Sequence, residues 1–545
     1  MLLLVLAPAW LIFLLRLRGR ESAARPRWRL LAGLLLLTTL VVFWDFAFPL
    51  KNFINAFPID DSYITLTAAR NVAEHNLFAI NTQYPLAGIT SPLHVAITGL
   101  VAKLMPVEFA SRVVGLFSFL AVALGVLLWA KELGARPTTA AASSAICVLC
   151  GPLGFGALNG LETVPFAALL IWSFYVFEVA WRRTRLWLLT GLLIGLSILT
   201  RPEGWFLAAA LYLAAAYRLW REKALRERRR VVYLALSGLV ALVVLSPYLL
   251  ANYHYYHQLF PSTVAAKKYF FSDYCRSIFQ RVSAGLVMSW LALGPFTALL
   301  PLLYWSRSYL RRIYPWLFVL IFYLAYFSQF VGALGHYWGR YQHPLLPVLL
   351  VGVIMGAEVL YKSLGRGRLA RVGGIGFALF LFVTATIGGL LEYKMYRNAL
   401  VNSQSFLMSI TDYIRNNTEP GDVVATHDVG ALYYFGERPV LDLVGLADPS
   451  VAKLYQSKPS FCRSPNARRS RLYHLAKARR PRLIYFSPRW DDWFLGLRRM
   501  DRGRHMQKAW HLSHDYQLND RSDATVYEYE FYKCDWDHDL TAEAH

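Results

Sequence analysis

The sequence predicts a polytopic α-helical membrane protein of about 11–12 spans with a C-terminal extracytoplasmic α/β domain. Three observations predict it. Hydrophobic residues make up 56% of the chain and charged residues 17%, below the roughly one quarter charged that soluble domains carry, and the mean hydropathy is +0.36. Apolar runs recur between residues 30 and 392, separated mostly by short loops. The Arg and Lys residues behind the net charge of +23 concentrate on alternate loops, as the positive-inside rule expects of cytoplasmic ones. That distribution argues against nucleic-acid binding, which would need a basic patch on a soluble face.

Taken in order, the run Met1 to Leu15 is short for a span and reads as a twelfth span, a half-inserted helix or a signal-like anchor. Spans are expected near 30–48, 109–130, 138–157, 163–180, 186–200, 204–217, 231–250, 284–304, 313–331, 343–361 and 372–392. Arg16 to Arg29, Lys131 with Arg136, Arg182 to Arg185, Arg218 to Arg230, Arg307 to Arg312 and Lys362 to Arg371 mark the cytoplasmic side. Residues 92–105 are apolar enough for a span, but counting them as one would put the basic loops on alternating sides. They are therefore expected as a helix lying at the outer surface. The chain divides into an N-terminal apolar segment with a basic cytoplasmic loop (1–29), a transmembrane domain with outer loop 49–108 (30–392), and a soluble extracytoplasmic α/β domain (393–545). In that last part DVVAT and PRLIYFS read as buried strands, ATVYEYEFY as a strand with one wet face, and 403–416 as helix. Cys147 and Cys150 lie in an apolar run and read as packing residues, whereas a Cys462–Cys534 disulfide is left open.

The informative polar clusters fall on the outer side: FPIDDSYITLTAARN (57–71), NGLE (159–162), RPEG (201–204), NYHYYHQLFPSTVAAK (252–267), GHYWGRYQHP (335–344) and THDVGALYYFG (426–436). Sharing one face, they suggest a composite site at the membrane surface. Asp60 and Asp61 can divide the work of taking a proton and orienting an acceptor, or simply cap the helix that follows. Glu162 and Glu203 each open an apolar helix, where a carboxylate also complements the dipole. Arg201 suits a phosphate oxygen or snorkels to lipid headgroups. Lys267 and Arg340 could add positive charge for a phosphate. Tyr256 belongs to an aromatic set that either stacks on sugar or isoprenoid or forms an interfacial belt. His336 and its fellow histidines lack metal-ligand spacing. His427 and Asp428 read as a loop turn at a strand end.

The order of these motifs resembles the multi-spanning glycosyltransferases of the C superfamily. The features are DDSYITLTAARN, GITSPL (88–93), NGLET (159–163), LTRPEG (199–204), YYHQLFPSTVAAK (255–267), GRYQHPLLP (339–347), and HDVGALYYFG followed by LDLVGLADP (441–449). Within that superfamily the chain looks most like the terminal arabinofuranosyltransferase group and its uncharacterised bacterial relatives. It departs from them at Glu74-His75-Asn76-Leu77, where relatives are richer in glycine, and at His336, where they often carry an acid. The resemblance implies a polyprenyl-phosphate-linked sugar donor, a cell-envelope acceptor and a bacterial inner membrane location with the site on the outer face. It implies that Asp60 or Asp61 is the general base of an inverting transfer, with Arg201, Lys267 and Arg340 on the leaving phosphate. It allows a divalent cation without requiring one. Two rivals stay open, a lipid-linked-sugar flippase or transporter and a non-catalytic glycan-binding scaffold.

Overall fold

Among the described residues, each apolar run expected as a span becomes helix. The structure is a computed structural model, described for residues 28–47, 56–260, 276–363, 368–456, 465–516 and 525–538; Met1 to Leu15, Lys267 and Cys462 lie outside the described residues. The helices are α1 (Trp28–Ala47), α2 (Asp60–His75), α3 (Pro92–Ala102), α4 (Val107–Glu132), α5 (Pro137–Leu149), α6 (Pro152–Leu158), α7 (Thr163–Ala180), α8 (Trp187–Thr200), α9 (Gly204–Arg221), α10 (Arg228–Tyr256), α11 (Ile278–Leu293), α12 (Ile313–Gln329), α13 (Leu345–Ser363) and α14 (Arg368–Asn417).

Among the described residues six helices are long and apolar enough to cross a bilayer: α1, α4, α7, α10, α13 and α14. Two bent pairs raise that to eight, α5 with α6 at 57° and α11 with the 3-10 segment after it at 93°. The remaining expected spans are α8, α9 and α12. At 1.5 Å per residue, the 14 residues of α8 reach only about 21 Å, short of the roughly 30 Å hydrocarbon core. The chain therefore has the expected helices, but not all of them are full spans by themselves. Residues 92–102 form an 11-residue helix, again too short to cross. It packs on α2 so closely that a Cβ on Gly99 would stand 2.7 Å from the Val72 side chain.

The 50-residue α14 runs from the last apolar segment through residue 393 into the C-terminal part. There a five-stranded sheet forms in the order β2-β1-β3-β5-β4, from β1 (Val424–Thr426), β2 (Val440–Asp442), β3 (Leu483–Phe486), β4 (Met506–Tyr516) and β5 (Thr525–Cys534). β1 pairs in parallel with β2 and β3, and β5 pairs antiparallel with β3 and β4. The three expected strands are β1, β3 and β5, but β5 has no wet face over Tyr529 to Tyr532, all four of which are buried. Tyr529 and Phe531 pack against Phe406, Ile410 and Ile414 of α14. Tyr532 packs the other way, with Leu472, Phe494 and Leu497. Helices on both sides make a three-layer α/β/α domain, whose β1 ends in the loop that meets α2.

Candidate active site

Two arginine-free hydrogen bonds and one guanidinium fix the acid-bearing helix. Arg112 donates from Nη2 to the Ala56 carbonyl at 3.1 Å and lies 4.7 Å from the Phe57 ring. The Phe57 amide donates to the Tyr63 hydroxyl at 3.0 Å, and Ser62 Oγ donates to the Asn159 carbonyl at 2.5 Å. Gly160, at φ 78°, lets the NGLE loop close on this corner, since a Cβ there would meet the Phe57 ring at 2.8 Å.

The adjacent acids then part company. The N-cap of α2 is Ile59, with no side-chain cap, so neither acid caps its own helix. Asp60 instead accepts the Gly430 and Ala431 amides, both at 2.8 Å, and so caps the short helix α15 (Gly430–Phe435) of the C-terminal domain. The approach requires glycine: a Cβ on residue 430 would lie 2.0 Å from the Asp60 carbonyl oxygen. Burial and the charges of Asp428 and Asp61 push the Asp60 carboxyl up to about 7, against the two amide bonds that lower it.

Asp61 points to Arg340, with Oδ2 2.6 Å from Nη2. The same Nη2 is 3.3 Å from the Tyr341 hydroxyl. Arg340 is 6% exposed, and its Nε and Nη1 have no hydrogen-bond partner among the described residues. Burial works against its charge, but Tyr341 and Asp61 more than offset that and hold it protonated. The loop delivering it runs through Tyr337, Trp338 and Gly339 at φ 43°, 57° and 81°, a left-handed stretch costly for the two aromatic residues.

Behind this pair stands a second arginine. Arg201 Nη2 and Nε reach the two Glu203 oxygens at 2.6 and 3.2 Å, and Nη1 is 3.6 Å from Glu162. Tyr326 donates to Glu203 at 2.7 Å. Burial pushes the Glu203 carboxyl up, but Arg201 and Tyr326 reverse this and leave it below its ordinary value. The Arg201 and Arg340 guanidinium carbons lie 4.8 and 5.1 Å from the Tyr341 ring. Asp61, Glu162 and Arg340 thus line one cleft of about 560 Å³, together with Thr90, Ser91 and Leu161.

A family model described as dolichyl-phosphate-mannose-protein mannosyltransferase matches residues 90–250, and a domain of unknown function matches residues 394–532. No curated protein matches the chain. Its fold is similar to that of ArnT from Cupriavidus metallidurans bound to undecaprenyl phosphate, at 14% identity, 92% coverage of this chain, 98% of that one and a TM-score of 0.56. It is also similar to the Archaeoglobus fulgidus oligosaccharyltransferase in its apo form, at 13% identity, 95% and 76% coverage and a TM-score of 0.59. The oligosaccharyltransferase AglB from that organism, in complex with an inhibitory peptide and a dolichol-phosphate, gives 13% identity, 93% and 75% coverage and 0.52. The fold is that of the C-superfamily membrane glycosyltransferases.

On that fold the expected residues take different places. Asp61, Glu162 and Arg340 share the cleft. Arg201 is 2% exposed and saturated by Glu203, so it stands behind Glu162 and not on the cleft wall. Tyr256, at the end of α10, donates to the Pro85 carbonyl, and Tyr248 donates to that of Ile89 at 2.7 Å; both tether the outer loop. His336 lies tilted against Tyr337, with ring centroids 4.1 Å apart. Among the described residues no group of three or more His, Cys, Asp or Glu is placed to hold a metal ion, and the best-placed acid, Asp61, is already paired with a guanidinium. Among the described residues, the donor set at the acids does not fit a divalent cation.

Asp428, read from the sequence as part of a loop turn, also stands beside the acids. It follows β1 and receives the Tyr529 hydroxyl on Oδ2, while Tyr485 donates to its carbonyl at 3.1 Å.

Proposed function

We propose that the protein transfers a sugar from a polyprenyl-phosphate carrier to a cell-envelope acceptor (glycan, lipid or protein) at the outer face of a bacterial inner membrane. The observation that carries this is the Asp61–Arg340 pair, at 2.6 Å, in a cleft beside the membrane helices. A buried arginine with two uncommitted nitrogens suits an anionic phosphate. When a donor phosphate takes up that charge, Asp61 is released from its partner and gains basicity. Asp61 then accepts the proton of the acceptor hydroxyl as its oxygen bonds to the anomeric carbon. The bond from that carbon to the phosphate oxygen breaks on the opposite face, inverting the centre, and Arg340 neutralises the departing lipid phosphate. Such a phosphate is a fair leaving group, so placement and charge supply most of the catalysis. Glu162 holds the Arg201–Glu203 pair against the cleft wall.

The sidedness and the division near residue 393 rest on the basic loops, which argue for residues 393–545 outside, and Lys267 joins Arg340 on the leaving phosphate by the motif order alone. A pentofuranose such as arabinofuranose as donor sugar rests on the motif order alone. The test is transfer by the purified chain in lipid nanodiscs, from polyprenyl-phosphate-linked radiolabelled pentoses and hexoses to an envelope extract. Labelled product that disappears in Asp61→Asn is expected. No transfer from any donor would overturn the proposal.

A further inference from the structure

Helix α2 presents a second polar face beyond the acid turn. Asp61, Thr65 and Ala68 line the cleft described above, whereas Thr67, Arg70 and Asn71, spaced i, i+3 and i+4, share another face. That face lines a separate cleft of about 1100 Å³. Its other walls are residues 80–84 of the outer loop and, from the C-terminal domain, Val423 before β1 and Val440 and Leu441 of β2. Arg70 lies about 13 Å along the helix axis from Asp61, and Ile80 stands between the two clefts, lining both.

Its charge is positive. Among the described lining residues, the guanidiniums of Arg70, Arg438 and Arg479 stand with one carboxylate, Asp448. Two of the arginines are already anchored. Arg70 donates from both Nη atoms to the Tyr434 carbonyl at 3.2 Å, and Arg438 donates to the Thr418 hydroxyl at 3.0 Å and carbonyl at 2.9 Å. They supply a fixed positive field. Arg479 ends the helix Pro465–Arg479, is exposed and has no hydrogen-bond or ion-pair partner among the described residues. Asp448 is 5% exposed, and its Oδ1 takes the Ser450 amide and hydroxyl at 2.9 and 2.6 Å. Its Oδ2 receives no hydrogen bond among the described residues and remains an acceptor. On the outer-loop wall, Asn81 Oδ1 takes the Gln83 amide at 3.0 Å, a turn that fixes the backbone and leaves the Gln83 side chain exposed. Tyr84 and Tyr433 add ring surface.

This set of groups selects its ligand. A bare anion is drawn by the guanidiniums but meets the Asp448 charge. A neutral sugar engages the amides and the carboxylate but leaves Arg479 without a counter-charge. A sugar that carries an anionic group satisfies both, with hydroxyls donated to Asp448 and the charge held in a guanidinium fork. We infer that the cleft between α2, the 80–84 loop and β2 is a second glycan-binding site, and that it takes a sugar bearing a carboxylate or a phosphate. The site is apart from the acid turn, and its binding does not depend on the transfer reaction proposed above.

The experiment is saturation-transfer NMR on the full chain in phosphatidylcholine nanodiscs, whose headgroups carry no net charge. The probes are methyl glucuronide and glucose 6-phosphate, with methyl glucopyranoside as neutral control and inorganic phosphate as competitor. At least one anionic sugar should show saturation several-fold above the neutral glycoside, and the one that does identifies the charged group. Inorganic phosphate should displace it only weakly. Arg479→Ala, at an exposed position and with its thermal midpoint as the check on folding, should weaken that sugar about tenfold and leave the neutral glycoside unchanged. Asp448→Asn keeps an oxygen for Ser450 and should let inorganic phosphate compete more strongly. Arg340→Lys, in the other cleft, should bind as the parent does. Equal binding of the neutral glycoside, anionic binding unchanged in Arg479→Ala, or its loss in Arg340→Lys would each overturn the site. Displacement by inorganic phosphate as readily as by the sugar itself would show a plain anion site and overturn the glycan assignment.

Discussion

Exchanging the two adjacent acids separately should give two different defects. In Asp61→Asn the residue still reaches Arg340 through its amide oxygen, but it cannot take a proton. Loss of a general base commonly costs about 10²- to 10⁴-fold in rate, or about 3–5 kcal/mol of barrier, with little change in stability. In Asp60→Asn the side chain keeps one oxygen for the Gly430 or Ala431 amide and turns an NH₂ toward the other. One of two charge-assisted bonds of 2.8 Å is lost, a cost of about 1.5–3 kcal/mol. Relief of the burial penalty and of repulsion from Asp428 and Asp61, which raise the carboxyl to about 7, offsets that loss above pH 7, so the net loss of about 1–2 kcal/mol is expected below it. The assay pairs initial transfer rates with thermal midpoints by intrinsic fluorescence, both in nanodiscs. Asp61→Asn should be nearly inactive at the parental midpoint, and Asp60→Asn should unfold earlier while keeping most of its activity. An inactive, stable Asp60→Asn beside an active Asp61→Asn would refute the assignment.

The clasp has a pH signature. The Asp60 carboxyl sits at about 7 in the fold against 3.8 ordinarily, so between those values the folded chain binds more protons than the unfolded one. Its contribution is therefore fully present below about pH 4, falls as pH rises to about 7, and stays lost above. The difference in midpoint between parent and Asp60→Asn should grow less favourable to the parent from pH 5 to pH 8. Gly430→Ala, whose Cβ would meet the Asp60 carbonyl oxygen at 2.0 Å, should cost about 1–3 kcal/mol, read as a lower midpoint, whereas Gly421→Ala, with open space around it, should be neutral. Arg340→Lys keeps the charge but loses the fork that serves both Asp61 and a phosphate, and should slow transfer by about 10²-fold, as measured by initial rates at saturating donor. Transfer should be unchanged in EDTA; loss with restoration by a divalent cation would show that Arg340 does not act alone on the phosphate.

Much of the fold was legible because its signals are local. Span-length apolar runs and clustered arginines set the helices, and short buried runs such as Leu483–Phe486 set strands. β4 escaped because MQKAWHLSHDY carries charges and imidazoles on a strand that owes its place to pairing with β5. The inward second face of β5 depends on helices far away in sequence. The site divides the same way. Arg201 and Glu203 were each noticed, but as neighbours two apart they would not face each other on a helix. They pair because Arg201 is extended, at φ −152° and ψ 147°. The role of Asp60 was out of reach, since its partner amides are 370 and 371 residues away.

The acid pair also explains why the C-terminal domain belongs to the site. Successive residues in a helix point about 100° apart, so neighbours in the first turn of α2 cannot serve the same partner. One must face the membrane-side loop and the other the sheet domain. Asp61 takes the first direction, toward Arg340, and Asp60 the second, toward α15. A single turn thereby couples the docking of the C-terminal domain to the aim of Asp61. Arg70 and Glu108 strengthen the same seam, holding the Tyr434 carbonyl at 3.2 Å and its hydroxyl at 2.8 Å. Disturbing the seam should therefore reach Asp61 without touching it: the base would lose its orientation before the fold is lost, and activity would fall ahead of stability as the clasp is weakened stepwise.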